Sequence, residues 1–148
     1  MYVAFQGLVT VLGRVLLSTI FLLSAVGNKI PNFQQVVQYM GSAGVPAPEL
    51  LLAGAIVFLI VGSLSVILGL QARIGAGLLA IFLILATYYF HAFWNLQGAE
   101  AMQQQIHFMK NLALLGAMLI IVANGSGPVS LDRVLGRRAN GPSIQPVS

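Results

Sequence analysis

Hydrophobic positions fall into four long runs, roughly Leu8–Gly27, Leu50–Leu70, Ile74–Phe93 and His107–Ala123, separated by short polar or turn-rich stretches. A helix needs about 20 mostly apolar residues to cross the ~30 Å hydrocarbon core of a bilayer, and three of the runs reach that length. The fourth is shorter and opens among polar residues, so it crosses tilted or borrows a turn at its entrance. Any single run would also suit a buried helix of a water-soluble protein. Four of them in 148 residues, with 7% charged residues and a mean hydropathy of +0.92, leave too little polar surface for that. The pattern predicts an all-α fold: a four-transmembrane-helix bundle in contact with the lipid bilayer.

Between the first and second runs the period changes. Pro31 opens a segment in which Phe33, Val36, Val37 and Met40 stand at i, i+3, i+4 and i+7, with Gln34, Gln35 and Gln38 turned elsewhere. This spacing predicts a short amphipathic helix at the membrane interface, or one docked on a partner. Gly41 to Pro48 reads as a turn-rich connector whose prolines stand where the next helix begins. After Ala123, the run Asn124-Gly125-Ser126-Gly127-Pro128 stops the last span, and Leu131, Val134 and Leu135 predict a brief amphipathic turn. Residues 1–136 make one domain, and 137–148 read as a flexible polar tail.

Small residues recur within the spans. Gly62, Ser65 and Gly69 lie in the second, Ala72, Ala76 and Ala80 with Gly75 and Gly77 in the third, and Ala113, Gly116 and Ala117 in the fourth. In lipid, such stripes let helix backbones approach closely. The short Gln71-Ala72-Arg73 turn makes the second and third spans antiparallel neighbours.

Charge adds orientation. Arg14, Arg73, Arg133, Arg137 and Arg138 fall on one side of a four-span arrangement, and Lys29 and Lys110 on the other beside Glu49 and Glu100. The positive-inside rule then places both termini in the cytoplasm, with the loops at 29–49 and 95–106 outside. The asymmetry suits the plasma (inner) membrane of a bacterium. The formal charge of +4 comes from scattered residues, with no basic stripe for nucleic acid. No cysteine is present, which removes disulfides, thiolate metal sites, iron–sulfur clusters and cysteine nucleophiles. The N-terminus has no basic leader or small-residue cleavage site, so the first run reads as a retained helix.

The order of these signals resembles the DoxX family of small bacterial membrane proteins over roughly residues 10–133. Gly13-Arg14, Gly27-Asn28-Lys29, the Tyr39 to Pro48 segment, Gly62 to Gly69 with Arg73, Phe90-His91-Ala92-Phe93-Trp94 and His107 to Leu114 carry the resemblance. It implies the four-span fold and an association with redox assemblies such as quinol oxidation, thiosulfate:quinone oxidoreduction or oxidative-stress complexes. Relatives often carry a glutamate in the second span, near Leu59 of this chain, where no acid occurs between Glu49 and Glu100. The resemblance implies that this glutamate would pair with Arg14; Leu59 removes it.

Two polar features invite a functional reading. Arg14 lies about 15 Å along a helix starting at Ala4; it either snorkels to the nearer boundary or faces inward to bind a head group, an anionic ligand or a partner. His107, Lys110 and Asn111 share one helical face at i, i+3 and i+4, with His91 and Trp94 one loop away. These five residues form either a polar cluster able to hold a quinone head group or an interfacial aromatic rim with Lys110 snorkelling. Two histidines and a distant Glu100 are too few for a metal site. Histidines near the interface are also poorly placed for haem, so quinone is the one cofactor class retained. No catalytic grouping is visible. The leading expectation is a non-catalytic accessory or scaffold subunit bound to other membrane subunits, with oligomerisation open. A quinone-interacting subunit and a small transporter or channel are the alternatives.

Overall fold

The computed structural model describes residues 2–139. Helix α1 (Tyr2–Leu23) continues into a π-helical turn at Ser24–Lys29, and α2 (Phe33–Ser42) follows after a short bend. Next come α3 (Pro48–Leu68), α4 (Ala72–Phe90), a single 3₁₀ turn at Phe93–Asn95, α5 (Gly98–Asn124) and α6 (Leu131–Ala139). Four helices are long and apolar enough to cross a membrane. They pack in the order α1, α3, α4, α5, and α1 and α5 are not close neighbours. One end of the bundle carries the start of α1 and the finish of α5 and is termed the terminal end; the other is the loop end.

The span limits differ from those expected. The first span begins six residues early and runs through Lys29, and the helix of the third span, α4, stops at Phe90. The fourth starts at Gly98, so most of the expected 95–106 loop is helix. Ala99, Glu100, Met102 and three glutamines are good helix formers, and Glu100 in the first turn complements the helix dipole. At 27 residues, α5 is about 40 Å long, more than the hydrocarbon core requires, so its first turns can stand in the head-group region with their glutamines wet.

The small residues of α3 and α4 are consumed inside the molecule. A Cβ on Gly62 would lie 2.9 Å from the Gly75 carbonyl oxygen, and one on Gly75 would lie 2.6 Å from Ser65 Cβ, so the two backbones meet directly. Around this seam Phe21, Leu59, Val66, Ala76, Leu79, Leu83, Met118 and Ile121 form the main core. A second cluster seats α2 across the loop end: Val37 and Met40 pack with Val45 and Leu52 beneath Tyr89 and Phe90, while Gln34, Gln35 and Gln38 stay exposed. The expected amphipathic stripe therefore covers the bundle itself.

At the terminal end, α3 finishes on Gly69 with φ +67°, a left-handed stop that directs Leu70 N–H back to the Ser65 carbonyl at 3.0 Å. The amphipathic turn expected near Leu131 is a full helix, α6, which continues to Ala139, into the segment expected as tail; residues 140–148 lie outside the described residues. The first turn of α6 grips the α3–α4 connection: Asp132 N–H donates to the Gly69 carbonyl at 3.0 Å, and Gln71 N–H donates to Asp132 Oδ1 at 2.8 Å.

Candidate functional site

Arg14 occupies the terminal end, facing inward. Its side chain is 4% exposed, its Nη1 donates to the Ser126 carbonyl at 2.8 Å, and its Nη2 donates to the Val129 carbonyl at 2.8 Å. A Cβ on Gly69 would collide with the guanidinium, which fixes its level at the foot of α3. The early turns of α1 run beside the 126–130 loop, with Gly7 against Val129 and Thr10 against Gly127, so the Arg14 guanidinium lies at the terminal end of the bundle, level with the foot of α3. Its two terminal nitrogens are taken up by the loop that follows α5, while its Nε is buried with no hydrogen-bond partner among the described residues. Leu59 is buried in the core nine residues before the end of α3, a rise of about 14 Å above the level at which Arg14 is bound.

At the loop end the structure brings together part of the predicted cluster. The His91 and His107 rings stack with centroids 5.3 Å apart and planes at 20°. His91 Nδ1 lies 2.7 Å from Gln104 Oε1; an amide oxygen only accepts, so the histidine donates and carries its proton on Nδ1. Asn111 Nδ2 donates to Thr87 Oγ1 at 3.0 Å, linking α5 to α4. Trp94 stands edge-on to Phe93 and Phe108 at 5.5 and 6.2 Å. Lys110 does not join them. It is exposed, because the ~100° step between consecutive helical positions carries it off the face that holds His107 and Asn111.

Between α4 and α5, below this cluster, runs a groove of about 260 Å³ with largely apolar walls. Tyr88, Trp94 and Phe108 supply aromatic surface, Ile84, Leu112 and Leu115 aliphatic surface, and the Thr87–Asn111 pair its hydrogen-bonding groups. Tyr88, Ile84 and Leu112 are exposed on the bundle exterior, so the groove opens toward lipid. Thr87, Tyr88 and Phe108 were absent from the predicted site as ligand groups. Thr87 lies four residues before His91, one helical turn, which is the signal that could have found it. Among the described residues no three His, Cys, Asp or Glu side chains gather to hold a metal ion.

The family model for DoxX matches residues 9–92, more than half of the chain. The chain belongs to the DoxX family. It is 32% identical to the inner membrane protein YphA of Escherichia coli (strain K12) over 105 residues, covering 71% of this chain and 75% of that one. It is also 31% identical to the inner membrane protein YqjF of the same organism over 125 residues, covering 84% and 90%. No solved structure matches the chain. This DoxX protein is thus an integral membrane protein with four spanning helices. The matched DoxX segment contains Arg14, Lys29 and the α4 wall of the groove, whereas the α5 wall with His107 and Asn111 lies beyond it.

Proposed function

We propose that this DoxX protein is a non-catalytic membrane subunit that holds the ring of a lipid-soluble quinone for a redox partner. The observation carrying this reading is the lipid-facing groove in which Asn111 and Thr87 lie among Tyr88, Trp94 and Phe108. A quinone ring is flat and apolar with two carbonyl acceptors. Aromatic side chains pack against its faces and edges. Asn111 has a second amide proton beyond the one given to Thr87, and a carbonyl oxygen can accept it. The isoprenoid tail would leave through the open side, along Ile84 and Leu112. The chain has no cysteine and brings no metal-ligand set among its described residues, so electrons would pass to a group on the partner.

The single tryptophan, Trp94, makes the test direct, because it stands in the groove and quinones quench indole fluorescence. A decyl-tailed benzoquinone titrated into the protein in nanodiscs should quench Trp94 saturably. Asn111→Leu should weaken binding about 5- to 10-fold, the value of one hydrogen bond. Quenching that stays linear with quinone and is unchanged in the variant would reject the groove as a quinone site.

A scaffold role without ligand is favoured by one feature of α5. Ala113 and Gly116 are exposed, and a Cβ on Gly116 would meet nothing within 4 Å, so this small-residue surface is left open for another helix. Gly116→Leu should then abolish co-purification of partner subunits from gently solubilised membranes while leaving quinone quenching intact. Unaltered co-purification would remove this reading.

A further inference from the structure

Lys29 takes no part in the groove, yet its position is unusual. It closes the π-helical turn, in which Ile30 N–H reaches back five residues to the Ala25 carbonyl at 2.9 Å. The wide turn brings Lys29 over Ser24, also five residues earlier, and the ammonium donates to Ser24 Oγ at 2.6 Å. The ammonium also lies 5.4 Å from the centroid of the Phe82 ring. Phe82 is ten residues into α4, about 15 Å from the terminal end and half-way along a helix about 28 Å long. Helical side chains lean toward the N-terminus, and both α1 and α4 begin at the terminal end. Lys29 and Phe82 therefore lean away from the loop end, and the charge rests near mid-span. The backbone of Lys29 lies toward the loop end, but its ammonium does not.

Among the described residues no acid stands at this depth. Of the chain's three acids, Glu49 and Glu100 are exposed in the first turns of α3 and α5 at the loop end. Asp132 is engaged by the Gln71 amide at the terminal end. An ammonium has three donors, and among the described residues Lys29 uses one. The Phe82 ring gives partial compensation through its π face. A cation inside hydrocarbon is retained where something pairs with it, and π turns recur at functional positions. Val26 and Ile30, on either side of Lys29 in sequence, are exposed to lipid.

We propose that Lys29, with Ser24 and Phe82, forms a lipid-accessible binding site for the carboxylate of a long-chain amphiphile. The carboxylate accepts the two remaining ammonium protons, and the apolar tail lies along Val26 and Ile30. This site shares no residue with the α4–α5 groove and stands independently of the quinone reading.

The test is binding of oleate against oleyl alcohol, which share a tail and differ in charge, to the full chain in nanodiscs by native mass spectrometry. Oleate should bind at least about tenfold more tightly than the alcohol, as expected for a charge-assisted pair. Lys29→Met should erase that preference, Lys29→Arg should keep it, and Asn111→Leu should leave it unchanged. Equal binding of acid and alcohol, or undiminished oleate binding by Lys29→Met, would overturn the proposal. A measurement on the unaltered protein guards against a variant that fails to fold. The chain has two lysines, and oleate should slow modification of Lys29 by a membrane-soluble isothiocyanate while exposed Lys110 reacts as before. Identical Lys29 labelling with and without oleate would equally reject the site.

Discussion

The Arg14 guanidinium donates to the Ser126 carbonyl at 2.8 Å, joining the first membrane helix to the loop after the last one across 112 residues of sequence. With the companion bond to Val129, it ties α1 to the α5 side of the bundle, where the two helices themselves are not close neighbours. Hydrogen bonds from a charged group contribute about 1.5–3 kcal/mol each, and removing the donor strands two carbonyls. Arg14→Met is expected to lower stability by about 3 kcal/mol in a detergent-titration unfolding measurement. Arg14→Lys, with one compact donor group in place of a fork, should recover only part of the loss. An unchanged unfolding midpoint for Arg14→Met would show that the loop is held by other contacts.

Gly69 should tolerate no side chain. Its φ of +67° disfavours other residues, and a Cβ there would lie 2.6 Å from Ser130 Cβ besides striking Arg14. Gly69→Ala is expected to cost more than the ~1 kcal/mol of backbone strain alone. It should also loosen α6, read as faster hydrogen exchange of the Gln71 and Asp132 amides.

Ser18 and Ser63 point to the opposite sign. Both hydroxyls are fully buried and neither has a hydrogen-bond partner among the described residues. An unpaired buried hydroxyl costs about 1–3 kcal/mol on protein scales. Ser18→Ala and Ser63→Ala should therefore be neutral or raise the melting temperature, as measured by thermal denaturation in detergent. A fall in either variant would mean that its hydroxyl is satisfied in the membrane.

The arginine bias predicts an orientation that labelling can test. With both termini cytoplasmic, Ser42→Cys and Gln97→Cys should react with an impermeant thiol reagent added outside intact cells, and Gly136→Cys should not. All three positions are exposed, whereas Ser126 is buried and would be silent from either side. The reverse labelling pattern would invert the topology.

The spans were legible because length and hydropathy report directly on what lipid tolerates. The Phe33 to Met40 stripe likewise announced a helix with one covered face. The environment of Arg14 was not legible, since its partners are backbone carbonyls in a glycine-rich loop far along the chain, and carbonyls leave no signature in sequence. The surroundings of the Lys29 ammonium were not legible either, because a π turn, which leaves no signature in the sequence, folds the side chain back onto Ser24. In the loop-end cluster, His107 and Asn111, at i and i+4 on α5, each meet a residue of the α4 side, His91 and Thr87. Lys110, at i+3, falls on the other flank of that stripe, where exposure begins.

The long reach of Arg14 has a consequence for biosynthesis. Its helix is made before the other spans described, and the carbonyls that bind it are made 112 and 115 residues later. At about 5–20 residues per second, the nascent chain carries an uncompensated arginine for on the order of ten seconds. During that interval α1 has packing against α3 but no polar anchor, and a chain interrupted before Ser126 never acquires one. A chain cut short before the 126–130 loop would therefore carry an unanchored cation on a loosely held α1, a substrate for membrane proteases.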